Sequence, residues 1–136
     1  MDSFWPSNNN KDLLEKLIYC NIRSSHSPQA DYPIVLGQVT NQGEEWECVH
    51  IHNDQVKTLP HLMSEFEEAD LRIPIHVLDC FENQHRICVV ITSDTDVIVA
   101  LLYHMPAYQQ KGLKELWVRA GVGDTTRYIP LHTLYE

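Results

Sequence analysis

The sequence predicts an α/β fold with a central, mostly parallel sheet, flanking helices and one β-hairpin. Residues 87–92 form a short unbroken apolar run, which is typical of a strand covered on both faces. An apolar helical segment at 97–103 and a further strand at 115–119 follow, and this order predicts parallel pairing with a right-handed crossover. Two other strand patterns, 34–40 and 45–52, are joined by Asn-Gln-Gly, which predicts the hairpin.

The remaining elements follow from apolar periodicity and from helix-capping residues. The triplet Asn8–Asn10 offers N-cap side chains before an apolar stripe at helical spacing, which predicts the first helix. Ser64 and Glu67 form a capping-box pattern, so a second helix should begin directly after Ser64. Pro74 should kink this helix or end its first part, because it removes one backbone donor. A last short strand is expected at 127–129.

The composition describes an ordinary globular protein of one domain, residues 1–136. The chain is 43% apolar and 21% charged, which is sufficient for a hydrophobic core. Its net charge of −9 repels nucleic acid and anionic membranes. No apolar run approaches the roughly 18 residues of a membrane span, and the N-terminal residues lack a signal-peptide pattern. We expect no membrane contact and an intracellular location, with the nucleus as one candidate, where the four cysteines stay reduced and buried.

Two aspartates, Asp94 and Asp96, come directly after the strand at 87–92, where a helix begins at once. Sites in open α/β sheets form beyond the carboxyl ends of strands, so these carboxylates lie where chemistry is usually located. One interpretation is a pair of hard oxygen ligands for Mg²⁺ or Mn²⁺. The other is structural, because one Asp can cap a helix and a second in the first turn interacts favourably with the helix dipole.

A second acidic segment lies upstream and contains Glu68 and Asp70. Residues two apart point in different directions on a helix, so both reach one metal only through a water or a local bend. Pro74 would permit such a bend, because it removes the amide donor to the Asp70 carbonyl. Glu67 and Asp70, three apart, would face the same way, so Glu67 is an alternative to Glu68. The structural interpretation is a solvated helix face, which is the default for Glu65, Glu67 and Glu68.

Four short segments of the chain resemble, in the same order, the motifs of a known nuclease family. They are Glu-Glu-Ala-Asp at 67–70, Ser-Asp-Thr-Asp-Val at 93–97, Leu-Trp-Val-Arg at 116–119 and Arg-Tyr-Ile-Pro at 127–130. They resemble the PIN-like nucleases of the flap-endonuclease class, and most closely a group of uncharacterised, mobile-element-associated PIN-like proteins. The resemblance extends from about residue 60 to about residue 132.

The resemblance implies a PIN-like fold and metal-dependent hydrolysis of phosphodiester bonds in DNA or RNA. It assigns Asp94 and Asp96 to the second acidic pair of the family, and Glu68 and Asp70 to the first. Together the four carboxylates would hold two Mg²⁺ or Mn²⁺ ions about 3.5–4 Å apart. Nucleic acid would then be bound through the metal, because the net charge of the chain repels it.

The chain departs from the family pattern at its ends. Active members carry an aspartate after the first sheet strand, basic residues that grip phosphates, and usually a helical DNA-binding extension. Asp31 or Asp54 could replace that aspartate, but neither follows a strong buried strand pattern. We therefore expect a partial copy of the domain, either a nuclease or its degenerate remnant. The alternative function is a non-catalytic interaction module with a protein partner.

Two other constellations compete with the nuclease interpretation. Cys48, His50 and His52 alternate along one predicted strand, which is compatible with a transition-metal site but also with a half-buried strand face. A strand followed by Asp-x-Asp also suggests a haloacid-dehalogenase phosphatase, with Asp94 as nucleophile and Asp96 as acid/base. That chemistry requires a second acidic pair, and the acidic residues after Asp96 form none.

Overall fold

Both helices and strands occur in the computed structural model, which describes residues 8–25, 31–41, 45–64 and 69–136. In chain order the elements are α1 (Asn8–Ser25), β1 (Ile34–Asn41), β2 (Glu45–His52), β3 (Gln55–Thr58), α2 (Ala69–Glu82), β4 (Ile87–Ile91), α3 (Thr95–Tyr103), α4 (Met105–Gln110), β5 (Glu115–Ala120), β6 (Arg127–Pro130) and α5 (Leu131–Leu134). Short 3₁₀ turns lie at Pro60–Leu62 and Gly123–Thr125. The predicted mixed α/β class is confirmed.

Contacts along the chain divide it into two units, Met1–Met63 and Ser64–Glu136. Each unit contains one three-stranded sheet. In the described residues only one strand pair, β4 with β5, is parallel, and the other three pairs are antiparallel. A single central and mostly parallel sheet, and a single domain over 1–136, therefore stay predictions. None of the helices in the described ranges is long and apolar enough to cross a membrane.

The first unit is built on an antiparallel meander with the order β1-β2-β3. The predicted hairpin is confirmed, since β1 pairs with β2 and places Ile34 opposite Ile51. Asn53 and Asp54 connect β2 to β3 with φ values of 50° and 61°, the left-handed conformation that a two-residue hairpin turn requires. Helix α1 lies against β1. Among the described residues of this unit, the buried apolar side chains are Cys48, Val49, Ile51 and Leu62.

The second unit is built on a sheet with the order β4-β5-β6. β4 and β5 are parallel, with Ile87 opposite Glu115 and Ile91 opposite Arg119. Helices α3 and α4 connect the two strands, so the predicted strand–helix–strand unit is confirmed as a parallel pair. β6 returns antiparallel to β5, with Tyr128 opposite Arg119.

The core of the second unit lies on one face of its sheet. Its buried side chains are Val77, Phe81, Val90, Val97, Leu101, Met105, Tyr108, Leu116, Val118, Ala120 and Leu131. They come from β4, β5 and all four helices α2 to α5, so these helices share the same side of the sheet. Burial of each such side chain stabilises the folded unit by about 1.5–3 kcal/mol.

The prediction that β4 is covered on both faces is wrong. Val90 is buried in the core, but Ile87, Val89 and Ile91 are 58%, 50% and 71% exposed. An unbroken apolar run is equally compatible with a half-covered strand, because only the tertiary arrangement decides whether a second layer exists. The consequence is an apolar face of β4 that no described residue of the second unit covers.

Pro74 does not end its helix, which runs from Ala69 to Glu82. The donor that a proline removes would bond to the carbonyl four residues earlier, Asp70, in the first turn. The missing hydrogen bond therefore lies at the N-terminal end of the helix, where few other hydrogen bonds are disturbed. The carbonyl of Pro74 also accepts a hydrogen bond from the hydroxyl of Tyr108 at 3.1 Å, and the Phe81 and Tyr108 rings pack at 5.6 Å between centroids.

The last helix is attached to the central strand. Leu131 is fully buried. Next to it, Nδ1 of His132 lies 3.2 Å from the Leu116 nitrogen and 3.0 Å from the Leu116 oxygen. The His132 ring also meets Trp117 edge-on at 5.2 Å between centroids. Residues 131 and 132 therefore belong to the packed structure of the sheet.

Candidate functional site

The candidate site is the junction between β4 and α3, which hydrogen bonds attach to the end of β5. The Thr92 amide donates to the Arg119 carbonyl at 3.1 Å, so the chain still follows the sheet one residue beyond β4. The hydroxyl oxygen of Ser93 accepts a hydrogen bond from the Gly121 amide at 3.1 Å. The carboxyl ends of the two parallel strands are thus held together, as expected of the edge where α/β proteins bind ligands.

Asp94 is the N-cap of α3. Its backbone is extended, with φ −83° and ψ 122°, and its Oδ1 accepts a hydrogen bond from the Asp96 amide at 2.9 Å. The Asp94 amide donates in turn to the hydroxyl oxygen of Thr92 at 3.1 Å. The capping interpretation of Asp94 is therefore confirmed, and this role uses one of its two carboxylate oxygens.

Asp96 lies in the first turn of α3, where a negative charge is favourable beside the helix dipole. The side chains of Asp94 and Asp96 are both exposed, and Val97 and Leu101 of the same helix are buried. The helix is consequently anchored by its apolar face and presents its acidic start to solvent. This arrangement satisfies the structural interpretation, and it also leaves both carboxylates accessible to a cation.

The upstream acidic segment is described only in part. Asp70 is half-buried in the first turn of α2, and α2 contacts α3. Glu67 and Glu68 lie outside the described residues, so the choice between them stays a prediction. Among the residues that are described, no three His, Cys, Asp or Glu side chains lie close enough to hold a metal ion. Asp70, Asp94 and Asp96 by themselves therefore do not form a three-carboxylate site.

The alternative site on β2 is divided between core and surface. Cys48 is fully buried, whereas His50 and His52 are half-buried with ring centroids 6.2 Å apart. The two histidines line a surface pocket together with Asn53, Gln55 and Lys57. The three residues of the Cys-x-His-x-His pattern do not form a metal-binding group in this structure. Asp54 occupies the adjacent turn and Asp31 is exposed, and neither joins such a group.

A pair of thiols is the feature that sequence reasoning missed. The side chains of Cys80 in α2 and Cys88 in β4 are hydrogen-bonded, which lowers the pKa of Cys80 to about 7. The same hydrogen bond, together with burial, raises the pKa of Cys88. Burial and the neighbouring Cys88 raise the pKa of Tyr108. The expectation of four buried thiols is wrong for Cys20, which is exposed, while Cys80 and Cys88 are half-buried.

Comparison with known proteins identifies no relative of this chain. No protein-family model matches the sequence, and neither the curated proteins nor the solved structures contain a match.

Proposed function

We propose that the protein is a metal-dependent nuclease of the PIN-like type, or a degenerate copy of one, with its site at the junction of β4 and α3. The observation that supports the proposal is the pair of exposed carboxylates, Asp94 and Asp96, at the carboxyl edge of a parallel strand pair. In this proposal the four motif segments carry the PIN-like resemblance, and the parallel pair β4–β5 belongs to the mostly parallel sheet of that fold.

The donor set at the junction fits one Mg²⁺ or Mn²⁺ ion. Mg²⁺ usually keeps several waters and binds through one or two carboxylates plus substrate phosphates. Asp94 can keep its cap through Oδ1 and offer the other oxygen, while Asp96 offers its whole carboxylate. Glu68 and Asp70 would complete the acidic set. When bound, such an ion would supply a Lewis acid beside the phosphodiester, and the carboxylates would orient it.

Metal binding tests the proposal first. We expect Mn²⁺ to bind with a millimolar or tighter affinity in calorimetric titration and to raise the melting temperature. Asp94→Asn should abolish both effects without unfolding the protein, because Asn is as good an N-cap as Asp. Asp124→Asn removes the same charge from the exposed turn after β5 and is the matched control. A protein that binds no Mn²⁺, or that loses it equally in both variants, contradicts the proposal.

Nuclease activity is the second test. We expect Mn²⁺-dependent cleavage of flapped or single-stranded DNA, abolished in Asp94→Asn and Asp96→Asn and retained in Asp124→Asn. Comparison of Glu67→Gln with Glu68→Gln then identifies which of these two glutamates contributes, since the family resemblance assigns Glu68. Binding of Mn²⁺ without cleavage would indicate a degenerate copy.

The second candidate function is a non-catalytic interaction module. The uncovered apolar face of the β4-β5-β6 sheet favours it, because such faces mark interaction surfaces. An inert module would show no Mn²⁺-induced rise in melting temperature, and Asp94→Asn would leave its properties unchanged.

A further inference from the structure

The face of the second sheet that points away from the core carries a defined set of side chains. β4 contributes Ile87, Val89 and Ile91, which alternate with the inward-facing Cys88 and Val90. β5 contributes Glu115, Trp117 and Arg119, which alternate with three buried residues. β6 contributes Tyr128 and Pro130, which lie opposite Arg119 and Trp117. We call these eight residues the open face.

The open face is apolar in its centre and along the edge formed by β4. Val89 and Trp117 are opposite each other in the register, so an aliphatic and an aromatic side chain mark the middle. Ile87, Ile91 and Tyr128 are 58%, 71% and 60% exposed. Exposed β-branched and aromatic side chains in a continuous array favour association with another apolar surface.

The two charged residues of the open face are placed symmetrically about its centre. Glu115 and Arg119 lie two residues before and two residues after Trp117 on the same strand, about 13 Å apart at the rise of an extended chain. The Glu115 carboxylate is oriented by a hydrogen bond from the Trp117 indole to its Oε2 at 2.8 Å. The Nε of Arg119 is buried and has no hydrogen-bond partner among the described residues.

This arrangement is self-complementary. Two copies can stack face to face about a two-fold axis that lies between their sheets. If this axis is perpendicular to the strands and passes over Trp117, it places the two copies of β5 antiparallel. Glu115 of each copy then meets Arg119 of the other, and Ile87 meets Ile91 across the same axis. Two-fold interfaces require such a patch, because both subunits use the same surface.

We propose that the open face is a homodimer interface, in which two copies stack their sheets about 10 Å apart and pair Glu115 with Arg119 twice. The face measures roughly 15 Å across three strands and 17 Å along five residues. Two such faces bury less than the roughly 1,200–2,000 Å² of a standard stable interface. The dimer is therefore expected to be weak and dependent on concentration. The net charge of −9 opposes it at long range, so association is measured at physiological salt, where repulsion is screened beyond about 8 Å.

Sedimentation equilibrium of the full chain, from micromolar to submillimolar concentration, tests the proposal. We expect the wild type to change from monomer to dimer in this range. Val89→Glu, in the centre of the face, should remain a monomer throughout. The matched control is Val99→Glu, which changes an equally apolar residue that is 64% exposed on α3, and it should dimerise like the wild type. Circular dichroism verifies that both variants are folded.

Charge exchange provides a second and independent test of the pairing. Glu115→Arg and Arg119→Glu should each weaken the dimer at least tenfold, because each places like charges opposite one another twice. The double variant should recover wild-type association, since it restores both pairs with reversed polarity. The double variant still lacks the hydrogen bond from Trp117 to residue 115. Its recovery would therefore show that reversed charge pairing, and not loss of that bond, weakens the Glu115→Arg dimer.

Three results overturn the proposal. They are a wild type that is monomeric at every concentration, a dimer that survives Val89→Glu, and a double variant as weak as the single ones. The first would leave the open face to another partner, and the second would indicate pairing through the β4 edge. Asp94→Asn should dimerise normally, so failure of the metal site and failure of this interface are distinguishable.

Discussion

The Tyr108 hydroxyl donates a hydrogen bond to the Pro74 carbonyl at 3.1 Å, across 34 residues of sequence. Tyr108 is almost fully buried, so its hydroxyl has exchanged water for this bond. Tyr108→Phe should lower the free energy of unfolding by about 0.5–1.5 kcal/mol, the usual net value of one such bond. Urea denaturation measures the change. Tyr103→Phe is the matched control because Tyr103 is 80% exposed, and an equal loss in both variants would contradict the assignment.

Capping by Asp94 predicts a difference between two small substitutions. Asp94→Ala removes the acceptor of the Asp96 amide and should reduce the free energy of unfolding by about 1 kcal/mol. Asp94→Asn retains an acceptor and should stay close to the wild type. Thermal and urea unfolding in the absence of divalent metal check this prediction. Equal destabilisation by Ala and Asn would show that charge, and not the cap, is what α3 requires.

Gly121 follows β5 directly and has no room for a side chain. Its φ is +86°, and a Cβ there would lie 2.3 Å from the Thr125 carbonyl oxygen. Gly123 has φ +57°, but nothing lies within 4 Å of the corresponding Cβ position. Gly123→Ala should therefore cost only the left-handed conformation, about 1–2 kcal/mol, and Gly121→Ala should cost clearly more. Urea unfolding of the two variants measures the difference, which would vanish if the Thr125 carbonyl moves freely.

The Cys80–Cys88 pair predicts pH-dependent thiol reactivity. The thiolate is the nucleophile, and the hydrogen bond from Cys88 lowers the pKa of Cys80 to about 7. Alkylation of Cys80 by iodoacetamide, followed by peptide mass spectrometry, should therefore reach half its maximal rate near pH 7. Cys88→Ala should move this midpoint upward, because alanine has no donor for the hydrogen bond that stabilises the Cys80 thiolate. An unchanged midpoint would exclude Cys88 as the cause.

The same pair predicts how stability depends on pH. The folded state releases the Cys80 proton near pH 7, whereas the unfolded chain holds it up to about pH 9.0. The stabilising contribution of the Cys80 thiolate is thus fully present above pH 9.0 and is lost as the pH falls through 7. Above pH 9.0 the raised pKa of Cys88 acts in the opposite direction. Urea unfolding between pH 6 and pH 9 should show a rise in the wild type that is smaller in Cys80→Ser.

Local sequence patterns predict most of the elements, but not β3 or α4, and they do not predict how the layers pack. The hairpin follows from alternation and a short turn, and the parallel pair follows from a strand, an apolar helix and another strand. Capping by Asp94 follows from its place before a helix. Whether β4 has one covered face or two depends on residues far away in sequence. For the same reason the Cys80–Cys88 contact, between a helix and a strand, leaves no signal in residue spacing.

The sequence predicts only the part of the acidic site that depends on local backbone geometry. The sequence predicts the place of Asp94 and Asp96 after a strand, and the structure confirms it, because that position depends on neighbouring residues alone. Convergence of Glu68 and Asp70 on the same cation depends on how α2 is oriented, and a sequence pattern does not encode that directly. The metal-binding set therefore stays a prediction for the titration with Mn²⁺ to decide.

The attachment of residues 131 and 132 to β5 has a practical consequence for protein engineering. A shortened version that stops at Pro130 would remove Leu131 from the centre of the second unit and expose the backbone of Leu116. Affinity tags are better fused after Glu136, with a spacer, than exchanged for the final residues.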